Sequence, residues 1–437
     1  MKKKFFKMLG VLFIVLGATA CSDPIEDIHL PLGEEPQETT PISAIISPAE
    51  ADDIANQAFA AYFDTEITTV SRSKSTTVHP VCSTLSRSDA DTLAYIVNFG
   101  ENDGYSIISA YRETENRMLA VVPVGHLENL DEIEIPAQKC YIETLIANEK
   151  QQSQIVKSRK DPSVITPVPE EKVEEVPMGG SSYGKLSGLA WSQDSYFGAY
   201  CDNGLCGCFA TATIMVMAQL EDPKSMYINF ANSTKPSITK TITPNWSNIK
   251  YYKGGGIQSL NKPSSASIEH MGLISRQIGK IANTIYHNPN PLTNQKESAT
   301  YTDDALNALK TIFKGHSVDG YKDYDSENIK SLLNDGRKIM ICGWKKDKNG
   351  NHTGGHIWNA EQYSIKYFQR KYYTRPNSFS EWQLISTTNV VQYDLYMNWG
   401  WNGLGNGYYG CLRATSFQPN GVSPYNPYTD LIYLSIK

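Results

Sequence analysis

The sequence predicts an α+β protein in which two folded units are joined by a linker. A helix, several strands and a second helix follow one another over residues 44–160, which indicates a small α+β unit. Residues 161–184 are rich in Pro, Glu and Gly without periodicity, which is typical of an exposed linker. Residues 185–437 form a larger unit, in which amphipathic helices dominate the first half and antiparallel strands the second.

The N-terminus has the pattern of a secretion signal over residues 1–20. Four lysines precede an apolar stretch that is too short to span a bilayer, and Ala18-Thr19-Ala20 supplies the small residues of a cleavage site. Cys21 follows where bacterial lipoproteins carry a lipid-modified cysteine, although Ala18 stands where such motifs usually have Leu; simple cleavage near Ala20 is the alternative. We therefore expect an exported protein, either anchored at the outer membrane or cell surface through Cys21 and a tether over 21–43, or secreted after processing.

Local signals define the elements of the small unit. Ser47, Pro48 and Glu50 form a capping box with proline at the first helical position, so a helix begins here. A Gly-Glu-Asn-Asp-Gly turn joins two apolar runs into a hairpin. The expected strands and the closing helix are 93–99, 105–110, 118–125 and 141–155.

In the larger unit, residues 208–220 are apolar nearly all round, so they predict a buried central helix that Asp222-Pro223 ends. Amphipathic periodicity predicts further helices, and apolar runs predict strands. The expected helices are 267–285, 303–313 and 326–335, and the expected strands are 337–344, 356–363 and 390–399.

Charge and cysteine usage exclude some classes of protein. The formal net charge is −6, and no cluster of Lys or Arg follows the signal, which argues against nucleic acid as a partner. Eight cysteines in an exported chain suggest a disulfide framework, but their scattered positions do not support one. A Cys82–Cys140 bridge stays possible.

Three cysteines lie within eight positions, at Cys201, Cys206 and Cys208. A zinc site formed by Cys206, Cys208, His352 and His356 is disfavoured, because C-x-C wraps an ion poorly and Gly354-Gly355 keep the histidines off a helix. A Cys201–Cys206 disulfide is conceivable, but neither alternative explains the apolar helix that follows. We expect no metal and no cofactor.

A nucleophilic thiol explains that helix better. Cys208 is its first residue, where unpaired N–H groups and the helix dipole favour a thiolate. His356 lies 148 residues downstream in Thr-Gly-Gly-His, within the range of about 130–150 residues that separates the two groups in papain-like enzymes. The sequence therefore predicts a thiol–imidazole pair.

Three motifs together resemble the streptopain family of papain-like cysteine peptidases: Gly207–Thr213, Gly354-Gly355-His356 and Asn398–Gly403. Trp191–Asp194 is similar to the segment that carries the family's oxyanion-hole glutamine, and residues 44–160 are similar to its inhibitory propeptide. The resemblance implies a papain-like fold, with a helical subdomain and an antiparallel β subdomain (185–437), behind a small α+β prodomain (44–160).

The resemblance also implies a cysteine endopeptidase made as a zymogen, which acts on polypeptides through a thioester and is matured by cleavage within 161–184. Cys208 is then the nucleophile and His356 its proton-transfer partner. Asn398 would orient the His356 ring, and Trp399 would shield that hydrogen bond. Gln193 would stabilise the oxyanion with the Cys208 backbone N–H. The prodomain is the expected intramolecular inhibitor.

Two segments depart from the family pattern. The 41 residues between His356 and Asn398 include a basic, aromatic stretch over 366–384, and we expect residues 364–390 to form a longer hairpin or flap. The strand after His356 reads HIWNAEQY and is less apolar than its counterpart in the family.

Two other functions fit parts of the sequence. An aromatic platform formed by Asn398–Gly403 and Gly407–Tyr409 would suit a carbohydrate- or protein-binding surface lipoprotein. The same triad could also transfer the acyl group to an amine, which would make the protein a thiol acyltransferase.

Overall fold

Helices pack against a large antiparallel sheet, as the sequence predicts. The computed structural model describes residues 45–63, 76–82, 92–114, 116–157, 170–231, 236–254, 262–288, 296–346, 352–412 and 431–437. The predicted signal peptide, Cys21 and the tether lie outside these residues. The helices are α1 (Pro48–Tyr62), α2 (Pro136–Lys157), α3 (Ser195–Gly198), α4 (Cys208–Leu220), α5 (Trp246–Tyr251), α6 (Ser265–Ile281), α7 (Thr302–Ile312) and α8 (Ser326–Asn334).

The strands are β1 (Thr76–Cys82), β2 (Thr92–Phe99), β3 (Tyr105–Ser109), β4 (Met118–Val122), β5 (Glu170–Gly184), β6 (Met226–Phe230), β7 (Ile238–Ile242), β8 (Ile285–Tyr286), β9 (Ser298–Ala299), β10 (Val318–Asp323), β11 (Lys338–Lys346), β12 (His352–Arg375), β13 (Gln383–Asn398), β14 (Gly407–Gly410) and β15 (Ile432–Ile436). The main sheet has the order β1-β2-β3-β4-β14-β13-β12-β11-β15-β10, and β5 pairs with β12 beside it. β6–β7 and β8–β9 are separate hairpins.

The predicted capping box opens α1. The Ser47 side chain accepts from the Glu50 backbone N–H, and the Glu50 carboxylate accepts from the Ser47 backbone N–H at 2.7 Å. The apolar side of α1 buries Ile54, Ala58 and Phe59 against the small unit's sheet. α2 begins at Pro136, five residues before the predicted start.

The sheets of the two units are continuous. β4 of the predicted prodomain pairs antiparallel with β14 of the predicted catalytic domain, where Val121 lies opposite Tyr408 and Ala120 opposite Tyr409. The described residues, 45–437 with their gaps, accordingly belong to one compact unit. This join was not predictable from the sequence, because each unit by itself has the elements of a complete fold.

The linker prediction is wrong for its second half. Residues 170–184, expected to be irregular, form β5, which pairs with β12 from Gln362 to Arg375. The predicted longer hairpin is confirmed, because β12 and β13 pair through the inserted residues. β5 therefore extends this hairpin to three strands; residues 161–169 of the predicted linker lie outside the described part of the chain.

The helical half packs around α4, whose residues Phe209–Ala218 are all buried. This central burial matches the all-round apolar pattern of the sequence. Along the described ranges, no helix is both long and apolar enough to span a membrane.

Candidate active site

Cys208 is the first residue of α4, as predicted. Gly207 precedes it with a φ of 88°, a left-handed conformation that suits glycine, and the Cβ of any larger residue would come within 3.3 Å of Ser298. The Cys206 N–H donates to the Gln193 carbonyl at 2.8 Å, which anchors the approach to the helix. The half-buried thiol of Cys208 therefore sits at the positive end of the buried helix.

His356 lies on β12. The next residue of the strand, Ile357, has the backbone N–H that binds the Cys208 sulfur. The His356 Nε2–H donates to the Trp399 carbonyl at 2.9 Å, and the His356 ring stacks on Trp358 with the planes 16° apart. A carbonyl oxygen can only accept, so this bond puts the ring hydrogen on Nε2. A neutral His356 then has Nδ1 bare, ready to take a proton.

The two groups are electrically neutral in this arrangement. Burial raises the pKa of Cys208, although the Ile357 backbone amide partly offsets that rise. Burial lowers the pKa of His356 to about 4, against the opposing effect of the Trp399 carbonyl. In the described part of the chain, no hydrogen bond or ion pair joins Cys208 to His356. Both shifts favour the neutral form, a thiol at Cys208 and an imidazole at His356.

The neighbouring cysteines differ from Cys208. Cys206 is buried, its Sγ lies 3.3 Å from the Thr211 hydroxyl, and burial raises its pKa strongly. Cys82 and Cys206 are free thiols, so neither of the two conceivable disulfides is formed. In the ranges that the structure describes, no three His, Cys, Asp or Glu side chains cluster closely enough to hold a metal ion.

Asn398 lies at the end of β13, but its amide does not reach the His356 ring. Its Nδ2 donates to the Leu189 carbonyl at 2.6 Å and to Glu361 Oε1 at 3.0 Å, and its Oδ1 accepts from the Gly400 N–H. The predicted Asn398–His356 hydrogen bond is absent, and the Trp399 carbonyl takes that place on the ring.

Trp399 is fully buried beneath the site. Its indole packs on Trp358 with ring centroids 4.8 Å apart, and its Nε1 donates to the Gly405 carbonyl. Tyr408 and Tyr409 are buried as well, so these rings do not form the exposed platform that a carbohydrate-binding protein would need.

Gln193 lies in the loop before α3, where its backbone joins the approach to Cys208. Its side chain is half-buried. Through the hydrogen bond of its carbonyl, Gln193 lies beside the residues that lead into α4, and its oxyanion role stays a prediction.

Sequence reasoning missed Glu361, the carboxylate that binds the Asn398 amide. The signal was a charged residue within the strand that follows His356, where the family pattern had suggested only a packing difference.

The Cys208 thiol lies on a helix, and His356 lies on an antiparallel sheet. Papain-like cysteine peptidases, the class that the sequence predicts, have this arrangement. The model of the Peptidase C10 family matches residues 191–409, half of the chain. The chain belongs to this family, the streptopain family of cysteine peptidases, so the predicted family, fold class and enzyme class are confirmed.

Among solved structures, the active wild-type interpain A cysteine protease of Prevotella intermedia is similar to this chain. The likeness covers 59% of this chain and 94% of that chain, at 18% identity and a TM-score of 0.37. No curated protein sequence matches the chain.

Proposed function

We propose that the protein is an exported cysteine endopeptidase made as a zymogen, with Cys208 as nucleophile and His356 as its proton-transfer partner. The observation that carries the proposal is the junction of α4 and β12. There the Cys208 sulfur meets the Ile357 backbone amide, one residue after a histidine whose Nε2–H is already bound.

The chemistry follows from the protonation states. In the cleaved enzyme the Cys208 proton rests on His356 Nδ1 as a thiolate–imidazolium pair; the thiolate attacks the scissile carbonyl carbon, and His356 then gives that proton to the leaving amine as the C–N bond breaks. Water hydrolyses the resulting thioester. Gln193 and the Cys208 backbone N–H stabilise the oxyanion. In other hydrolases with an oxyanion hole, each such donor contributes about 3–4 kcal/mol.

The contacts of the predicted prodomain support latency. Tyr141 on α2 packs edge-on against Trp399 and donates to the Gly410 carbonyl at 3.0 Å. Gln138 donates to the Tyr409 hydroxyl and lies so close to Gly405 that a Cβ there would overlap it. The prodomain thereby contacts the loop whose Trp399 carbonyl binds the His356 ring. In this state the thiol and the imidazole are neutral.

This latency predicts how the uncleaved protein reacts with iodoacetamide. Because burial raises the pKa of Cys208, the thiolate is scarce at neutral pH, so labelling should be slow there and accelerate as the pH rises through that pKa. After cleavage, a thiolate–imidazolium pair should label quickly even at about pH 6. Mass spectrometry across a pH series would measure both rates, with buried Cys206 unlabelled as the internal control. Fast, pH-independent labelling of the uncleaved protein would contradict latency.

Cleavage should fall where the linker is accessible. From Glu170 to Gly184 the chain pairs with β12, apart from a bulge at Met178, and it buries Val173 and Glu175. We expect the chain over 22–437 to convert to a fragment that begins between about Lys157 and Tyr183, and within β5 at the unpaired Met178 in preference to its paired neighbours, because proteases need an accessible backbone. Mass spectrometry of the product would locate the cut. A Cys208→Ala chain should stay full length until a trace of active enzyme is added.

A fully active, uncut chain would overturn the zymogen proposal.

Fractionation of cells that express the whole chain tests export. With Cys21 lipidated, the prodomain fragment should stay with the membranes while the catalytic domain enters the medium; a Cys21→Ser chain should release both.

A further inference from the structure

Glu361 is a buried carboxylate on β12, five residues after His356, with 5% of its surface exposed. Its Oε2 accepts from the Ser187 backbone N–H at 2.7 Å, and its Oε1 accepts from the Ser187 hydroxyl at 2.6 Å and from Asn398 Nδ2 at 3.0 Å. Burial raises the pKa of Glu361, while these donors and the nearby Lys338 ammonium oppose that rise. Burying a carboxylate is costly, so the three hydrogen bonds need to be explained.

The hydrogen bonds of Glu361 determine which way the Asn398 amide points. Both Nδ2 hydrogens are used, one on Glu361 and one on the Leu189 carbonyl at 2.6 Å. A flipped amide would place its oxygen against two acceptors, which is unfavourable. Oδ1 is therefore turned towards Gly400, whose N–H donates to it at 3.3 Å.

The Gly400 N–H and the Trp399 carbonyl belong to one planar peptide group. Asn398 holds this group by its N–H, and His356 Nε2–H binds its carbonyl at 2.9 Å. Since the group is rigid, fixing its N–H also fixes the direction of the carbonyl that orients the imidazole.

We infer that Glu361 is a positioning residue for the proposed reaction: through the Asn398 amide and the Trp399–Gly400 peptide, it sets the orientation of the His356 ring. Asn398 acts in the same way, through that peptide instead of by direct contact. Ser187, just beyond β5, makes the start of the mature domain part of this arrangement. The inference rests on the proposed peptidase function.

Glu361→Gln tests the inference in the cleaved enzyme. Gln keeps the volume but places an NH₂ group against donors of Ser187 or Asn398. We expect kcat to fall by about ten- to a hundredfold with KM little changed, because a misplaced general base slows chemistry more than binding. Glu361→Asp, which keeps the charge, should recover part of the loss.

The pH profile separates positioning from a loss of folded enzyme. The Trp399 carbonyl raises the pKa of His356, so loosening it should move the alkaline limb of kcat/KM, where the imidazolium loses its proton, to lower pH. The position of that limb does not depend on how much enzyme is folded. The matched control is Glu327→Gln. The Glu327 carboxylate accepts from the hydroxyl of Tyr363, which lies on the same strand as Glu361, and its loss should leave the limb unchanged.

A double-mutant cycle adds a second measurement. Because both residues act through one peptide, Glu361→Gln should cost little further activity in an Asn398→Ala enzyme. Wild-type kcat and an unmoved limb in Glu361→Gln, or full additivity with Asn398→Ala, would overturn the inference. An unmodified Cys208 and no peptidase activity in the wild-type chain would instead refute the proposed function.

Discussion

Cys208→Ala should abolish peptide hydrolysis while leaving the fold intact. The thiol is the group that forms the thioester, and removal of a nucleophile in a comparable catalytic unit lowers kcat by about a million-fold. The side chain is small and half-buried at the first turn of α4, so its loss leaves little empty space. Steady-state hydrolysis of a fluorogenic peptide by the cleaved enzyme would measure the change, and circular dichroism would check the fold.

Cys206→Ala is the matched control, since Cys206 lies two residues earlier and is buried with a raised thiol pKa. It should lose some stability but keep its activity per folded molecule. An inactive Cys206→Ala enzyme beside an active Cys208→Ala enzyme would show that the nucleophile has been assigned to the wrong cysteine.

Glu175→Gln should destabilise the uncleaved protein by about 3–5 kcal/mol, the usual cost of breaking a buried ion pair from one side. Glu175 on β5 lies 3.4 Å from Arg117 Nε of the prodomain and 2.5 Å from Arg370 Nε of the inserted hairpin. All three side chains are buried, and burial together with the charge of Arg370 lowers the pKa of Arg117 to about 10. Without the carboxylate, two buried guanidinium groups repel each other.

The measurement is urea unfolding in a Cys208→Ala background, which prevents self-cleavage. Glu174→Gln on the same strand is the control: Glu174 is partly exposed and pairs with Lys172 at 2.8 Å, so its loss should cost about 0–1 kcal/mol. Equal unfolding free energies for the two variants would mean that the buried cluster does not join the prodomain to the hairpin.

Local signals in the sequence predicted most of the individual elements. The capping box at Ser47 starts α1 where expected, and the buried helix from Cys208 to Leu220 has the predicted bounds. Such features depend on hydrogen bonds and side-chain periodicity within a few residues, which a sequence displays directly.

The sequence motifs predicted candidate site residues, but not the hydrogen bonds that these residues make. The helix start at Cys208 was predicted correctly, because a helix start is a local feature, whereas His356 lies within β12, which begins four residues earlier at His352. The hydrogen bonds of Asn398 were not predictable, since they depend on Leu189 and Glu361, which lie far from it in the chain. A short motif shows which residues are present but not which neighbours satisfy their polar atoms.

The sequence by itself determined the family, the enzyme class and the buried helix that begins at Cys208. Only the tertiary structure decided that β4 and β14 join the two sheets, and that residues 170–184 are a strand instead of a loop. A strand can pair with any other segment of the chain, so the Glu- and Gly-rich composition of β5 did not indicate that it pairs with the inserted hairpin. The buried charges of Arg117, Glu175 and Arg370 are explained in the same way: each has its partner in another segment, and folding alone brings them together.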